Sequence, residues 1–131
     1  MSTRSTTHFI DSRWIDQNTG KPYVDAIVYR HSDGYPEAAG RDLFTFLLRS
    51  QSLADSRLTD ASYLAARYVV FLSQKFASAD DPLDFTSVGI LMQDPGDIAY
   101  RYTVDCGTLT AEGLPVVKCF DMQGKEHDIP R

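Results

Sequence analysis

The stretch that most constrains the fold covers residues 24–46, where an apolar segment passes through a short polar turn into a helix-forming segment. β-Branched and aromatic residues dominate residues 23–30, which predicts a strand. Residues 32–36, Ser-Asp-Gly-Tyr-Pro, predict a tight turn, because Asp-Gly favours the left-handed backbone conformation and proline keeps its predecessor out of the helical region. A helix is predicted to begin near Glu37 or Gly40. A strand end, titratable groups and a helix start therefore meet at one corner.

The remaining periodicity predicts an α+β domain in the order β-α-α-β-β-β, with two helices packed on one face of a mostly antiparallel sheet. A second helix is predicted over residues 61–76, capped by Thr59 or Asp60. The predicted later strands cover residues 88–93, 98–105 and 115–122. A hairpin turn at residues 94–97 is predicted to join the first two of them. In the middle strand, Tyr102 and Val104 belong to the predicted core face, and Arg101 and Thr103 to the opposite face.

The first residues of the chain have little apolar surface to bury. Residues 1–7 are small and polar and are predicted to form a flexible N-terminus, with residues 8–131 as a single α+β domain. Residues 8–10 and 14–15 fit either a short first strand or an irregular edge segment. No apolar run approaches the ~20 residues that span a bilayer, and the start of the chain lacks the apolar region of a signal peptide. The expected location is the cytoplasm.

Composition limits the class of partner more than it limits the class of fold. The chain of 131 residues has a formal net charge of -5 and no block of consecutive Lys or Arg. Binding to a nucleic-acid backbone rests on clustered positive charge, so direct nucleic-acid binding is not expected. An acidic surface fits a partner that is itself basic. Cys106 and Cys119 are too few for a disulfide framework and are expected to be reduced, although Cys106 beside a glycine is a candidate for exposure.

The corner at residues 31–41 offers the clearest candidate chemistry. His31 has the titration range of an acid, base or ligand, Asp33 and Tyr35 follow it closely, and the Arg41 side chain with the amides of residues 40 and 41 could hold an anion. The structural alternative is that Asp33 closes a turn, that Gly34 is required for its backbone angles, and that Tyr35 begins a packing corner.

Other chemistry-bearing patterns are sparse. His8, His31 and His127 lack ligand spacing, so neither a metal site nor a cofactor is predicted. The sequence contains none of the common nucleophile or phosphate-loop motifs, which favours binding over catalysis without excluding an enzyme. Seven Tyr and seven Phe suggest interface hot spots or a base-stacking site. Tyr68, Tyr100 and Tyr102 are predicted to lie in the core, which leaves Tyr63 and Arg67 as further binding candidates.

Residues 29–36, Tyr-Arg-His-Ser-Asp-Gly-Tyr-Pro, resemble a corner found in small uncharacterised proteins of bacteriophages and mobile elements. Residues 63–68 and 97–102 are similar to further parts of the same pattern, so the resemblance covers about residues 23–120. It implies that the protein inhibits a host defence, either by binding a protein complex or by sequestering a signalling nucleotide.

Two functional hypotheses and a bland one follow. The first is a non-enzymatic binding protein, a phage-type inhibitor of a bacterial defence complex that acts through an acidic, tyrosine-rich surface on a basic host protein. The alternative is a nucleotide or small-anion binding protein, sequestering or hydrolysing its ligand at the corner of residues 31–41. The bland option is a housekeeping fold whose tyrosines are all core.

Overall fold

The sheet is organised around its first strand. The computed structural model describes residues 2–78 and 80–131, and in these residues two helices accompany a six-stranded sheet. The strands are β1 (Ser5–Ile15), β2 (Pro22–Arg30), β3 (Val88–Leu91), β4 (Tyr100–Leu109), β5 (Pro115–Asp121) and β6 (Glu126–His127). The helices are α1 (Arg41–Gln51), which follows a single π-helical turn (Pro36–Gly40), and α2 (Ala61–Lys75). The predicted α+β class is confirmed.

The strand order is β3-β2-β1-β4-β5-β6. Only β1 and β4 run parallel, and the other four pairs are antiparallel. The hairpin predicted at residues 94–97 is therefore wrong: β3 pairs with β2, β4 pairs with β1, and two strands separate β3 from β4. The turn residues instead lie in a connection that crosses from the edge of the sheet to its centre.

Strand β1 begins at Ser5, earlier than the boundary predicted at residue 8, and it is neither short nor at an edge. Ser5, Thr6 and Thr7 are buried. Their backbone groups find partners on both sides, in β2 and β4, so a polar segment can enter the sheet. Threonine also suits a strand because its branched side chain packs well on a pleated surface.

The core lies between the helices and one face of the sheet. The ring centroids of Phe9 in β1 and Tyr68 in α2 are 5.7 Å apart. Tyr102 and Val104 of β4 are buried in the same cluster, whereas Arg101 and Thr103 are half-buried, as the predicted alternation requires. Within the described part of the chain, the helices are too short or too polar to cross a bilayer.

Candidate functional site

The corner at residues 31–41 keeps the side chains of His31, Asp33 and Tyr35 exposed. His31 lies at the end of β2, and its Nδ1 is 2.8 Å from the Tyr29 hydroxyl. Its backbone amide donates to the Ser87 carbonyl at 2.8 Å. Asp33 and Tyr35 are exposed beside it. These three predicted residues therefore remain neighbours along one turn.

The backbone of the corner is used for packing. The Gly34 amide donates to the Thr3 carbonyl at 2.8 Å, and the Gly34 carbonyl accepts a 2.7 Å hydrogen bond from the Tyr102 hydroxyl. A Cβ atom on Gly34 would lie 2.7 Å from the Cβ of Ser5. Asp33, with φ of 54°, takes the left-handed conformation. The interpretation that Gly34 is needed for its backbone angles is thus wrong, since close approach to β1 is what requires it.

The helical segment begins before the predicted anion site. Because a π-helical turn covers Pro36–Gly40, the Arg41 amide donates to the Ala38 carbonyl and is not available to a ligand. The Arg41 side chain is exposed on α1, where it lines a cleft of about 230 Å³ with Phe44, Leu48 and Arg131. His31 is not part of that lining.

Each of the three histidines has a different side-chain hydrogen-bond partner, and among the described residues none bonds to another histidine. His8 Nε2 is 3.2 Å from the Thr6 hydroxyl, and burial lowers the His8 pKa. His127 Nε2 is 2.8 Å from an oxygen of Asp121. Across the described ranges, 2–78 and 80–131, no three His, Cys, Asp or Glu side chains are grouped as metal ligands would be.

A different arrangement forms at the start of α2. Asp60 caps the helix, since its side chain accepts a 3.2 Å hydrogen bond from the Tyr63 amide, as the sequence predicts for this position. The Tyr63 side chain is 55% exposed. The guanidinium carbon of Arg57 lies 4.7 Å from the centre of its ring, a cation–π geometry that fixes the ring on the surface.

Arg13 connects this helix start to the end of β1. Its Nη2 is 2.6 Å from an Asp11 oxygen and donates to the Thr59 carbonyl at 2.8 Å. Hydrogen bonding from Arg13 lowers the pKa of Asp11, so this carboxylate is ionised at neutral pH. The β1 end and the loop between the helices are thereby held together.

The adjacent part of β2 adds a tyrosine and a second carboxylate. Tyr23, opposite Asp11 in the strand register, is 51% exposed. Asp25 is exposed, and its pKa is raised by partial burial and by the charges of Asp11 and Asp60. We call Tyr23, Asp25, Asp60 and Tyr63 the acidic tyrosine surface. Sequence reasoning missed Tyr23 and Asp25 as site residues, although a carboxylate inside an apolar strand marks a partly uncovered face.

At this end of the sheet, β2 extends beyond β3. The pairing of β1 with β4 ends at Ile10, and β3 pairs with β2 only over Ile27–Arg30. Among the described residues, residues 22–26 of β2 therefore have no strand beside them on the β3 side, whereas β4 still contacts Ser12 of β1 through Asp105 and Thr108. Trp14 is exposed near this end as well. Aromatic side chains in such a position are accessible to a partner.

Arg67 holds α2 to the loop that precedes it. Its Nη1 donates to the carbonyls of Asp55 and Ser56 at 2.7 and 3.2 Å, which ties α2 to the preceding loop. It also lines a cleft of about 300 Å³ between the helices. The other lining residues are Phe46, Arg49, Ser50, Leu53, Val70, Phe71 and Gln74. The six predicted site residues thus fall in four places: the corner, the α1 cleft, the acidic tyrosine surface and this interhelical cleft.

The thiols are placed away from solvent. Cys106 is buried and free, so it is not the exposed thiol for which it was a candidate, and burial raises its pKa to about 12. Cys119 is also buried and free, and burial raises its pKa to about 11. A nucleophilic cysteine needs thiolate character and access, and neither thiol has them.

No family model matches this chain, and no curated protein or solved structure matches it. The resemblance at residues 29–36 therefore stays a prediction.

Proposed function

We propose that this chain is a non-enzymatic binding protein, a phage-type inhibitor that binds a basic surface of a bacterial defence complex in the cytoplasm. The binding surface would be the acidic tyrosine surface. The observation that carries the proposal is the placement of two exposed tyrosines beside carboxylates that repel each other, which contributes to the raised Asp25 pKa.

Repulsion between the carboxylates at this surface favours the binding of cationic side chains. Asp25 lies in the field of Asp11 and Asp60. Arg13 forms an ion pair with Asp11, and Arg57 forms one with Asp60 at 3.7 Å, so of these three carboxylates Asp25 alone has no ion pair among the described residues. A Lys or Arg from a partner would relieve the remaining repulsion, so bringing it close is favourable. Complementary charge of this kind mainly raises the association rate and selects the partner.

The tyrosines supply the other part of the affinity. Tyr23 and Tyr63 present amphipathic rings on rigid elements, a strand and the first turn of a helix. Tyrosine is enriched among residues that dominate binding energy, because its ring buries a large area while its hydroxyl keeps a polar partner. Burial of both rings against a basic partner would combine contact area with charge selection.

A second candidate keeps some support. Two exposed guanidinium groups, Arg41 and Arg131, line the same cleft of about 230 Å³, and such a pair suits a small anion or nucleotide phosphate. Arg131 is already paired with Glu112 at 2.6 Å, and the Arg41 amide is used inside the helix. We therefore rank anion binding at the 31–41 corner second.

Native mass spectrometry of the tagged protein recovered from a bacterial host lysate separates the two candidates. The proposal predicts a large added mass at low salt that dissociates as salt is raised, because exposed charges are screened within about 10 Å at 0.1 M. A small added mass of nucleotide size would instead favour the anion site. Absence of any stable complex at low salt would contradict the proposed function.

A further inference from the structure

Strand β3 ends the sheet with an open edge. It pairs with β2 over Val88–Leu91, and within the described residues no strand lies on its other side. An edge of this kind leaves backbone N–H and C=O groups without sheet partners, and those groups are a template for another extended chain.

The apolar side chains around this edge are unusually uncovered. Among the described residues, Met92 at 97%, Leu83 at 84% and Ile90 at 69% are the most exposed large apolar side chains. Ile90 lies in β3, Met92 follows the strand directly, and Leu83 lies five residues before it. Exposed apolar side chains that cluster at one place mark an interaction site more often than single scattered ones do.

The edge also lacks the usual protection. Residues 85–93 contain no charged residue and no proline, whereas native edge strands are commonly guarded by lysine, proline or a bulge. The opposite edge, β6, is guarded: it is two residues long, it contains Glu126, and Lys125 precedes it. The difference between the two edges shows that exposure at β3 is not a general property of this sheet.

We infer that β3 is the docking strand for an extended segment of a partner protein, with apolar side chains at alternate positions and basic residues at the end that meets Asp81 and Asp84. Added strands gain affinity from main-chain hydrogen bonds and specificity from alternate side chains. The basic end follows from charge: exposed Asp81 and Asp84 precede β3, whereas half-buried Asp94, which follows it, is already paired with Arg101. This surface is separate from the acidic tyrosine surface and does not depend on it.

A second copy of the chain is the less favoured occupant. Pairing β3 with itself in the parallel direction would bring Asp84 of one copy near Asp84 of the other. In the antiparallel direction Asp84 would approach Asp94, whose charge Arg101 already offsets, so neither direction gains attraction. Like charges at the ends of a short strand pair oppose association. A partner with Lys or Arg at those positions meets attraction there.

Selection from a displayed library of short random peptides against the full-length chain tests the inference. We expect enriched peptides to alternate apolar residues and to carry Lys or Arg at one end. Ile90→Lys should weaken their binding at least about tenfold, which corresponds to 1.4 kcal/mol. The matched control is Val70→Lys, at an apolar side chain of α2 that is 59% exposed, and it should leave binding unchanged.

Two further measurements make the result decisive. Bound peptide should slow amide hydrogen exchange in β3, and thermal unfolding should show that Ile90→Lys is folded; Met92→Lys is the substitute if it is not. The inference is overturned if no peptide is enriched, if the enriched peptides carry no Lys or Arg at either end, or if Ile90→Lys leaves binding intact. Light scattering that finds a dimer, converted to monomer by Ile90→Lys, would assign the edge to a second copy and also overturn it.

Discussion

Two places in this molecule put tyrosine, carboxylate and a helix start together, and they differ in what is left for a ligand. At the 31–41 corner, Gly34 is hydrogen-bonded to Thr3 and Tyr102, and the Arg41 amide is used inside the helix. At the start of α2, the Asp60 side chain caps the helix and the Tyr63 ring stays on the surface.

The difference teaches that residue types at a helix start do not decide whether a site exists. The deciding question is which hydrogen-bonding groups the fold has already used. The backbone groups of the corner are used to join the turn to β1 and β4. Substitutions there should therefore mainly lower the free energy of unfolding. At the acidic tyrosine surface the fold uses few of these groups. Substitutions there should therefore mainly weaken binding to the partner.

The largest stability effect is expected for Gly34→Ala. A Cβ atom would lie 2.7 Å from the Ser5 Cβ and 2.8 Å from the Thr3 carbonyl oxygen, so the turn must move away from β1. We expect a loss of about 1–3 kcal/mol in the free energy of unfolding, measured by urea denaturation. Gly89→Ala is the control, because its Cβ would meet its nearest neighbour at 4.0 Å. Equal losses for both variants would contradict the packing role of Gly34.

A smaller loss is expected for Tyr102→Phe. The substitution removes the 2.7 Å hydrogen bond to the buried Gly34 carbonyl and leaves that oxygen without its partner. The free energy of unfolding should fall by about 1 kcal/mol. Tyr63→Phe, at an exposed hydroxyl, should be neutral within error. A neutral Tyr102→Phe would show that the corner is not held through this bond.

The smallest effect, of opposite sign, is expected for Asp25→Asn. A carboxyl whose pKa is raised in the folded state binds a proton more readily there than when unfolded, so the wild type loses stability as the pH rises through that pKa. Asparagine has no such titration. At neutral pH the variant should therefore be slightly more stable, by less than about 0.5 kcal/mol because the site is exposed.

Denaturation at several pH values checks this sign. The advantage of Asp25→Asn should disappear as the pH falls through the Asp25 pKa, where the wild-type carboxyl becomes neutral. Asp128→Asn, at an exposed carboxylate with no ion pair among the described residues, is the control for removing one negative charge. A variant less stable than wild type at neutral pH would mean that Asp25 is not repelled by its neighbours.

Local patterns predicted the elements well where they depend on near neighbours. The strand at residues 23–30, the helix at 61–76 and the Asp60 cap follow from side-chain type and spacing within one segment. The alternation in β4 is equally local, and it placed Tyr102 in the core correctly. These features need no knowledge of the rest of the chain.

Local patterns do not predict which distant segments pair with each other. Ser5–Thr7 look like a polar terminus, and they are buried only because β2 and β4 flank them on both sides. Residues 94–97 have turn chemistry, yet this does not determine which strands pair. The acidic tyrosine surface was missed in part for the same reason, since Arg13 brings β1 to the loop before α2 through one ion pair and one carbonyl.

The most direct test of the central claim compares two double variants in capture of host protein from bacterial lysate at low salt. Tyr23→Ala with Tyr63→Ala removes the aromatic part of the acidic tyrosine surface, and His31→Ala with Asp33→Ala removes the exposed polar side chains of the corner. The account predicts that the first variant loses the salt-sensitive complex and that the second keeps it. Retention by the tyrosine variant together with loss by the corner variant would contradict it.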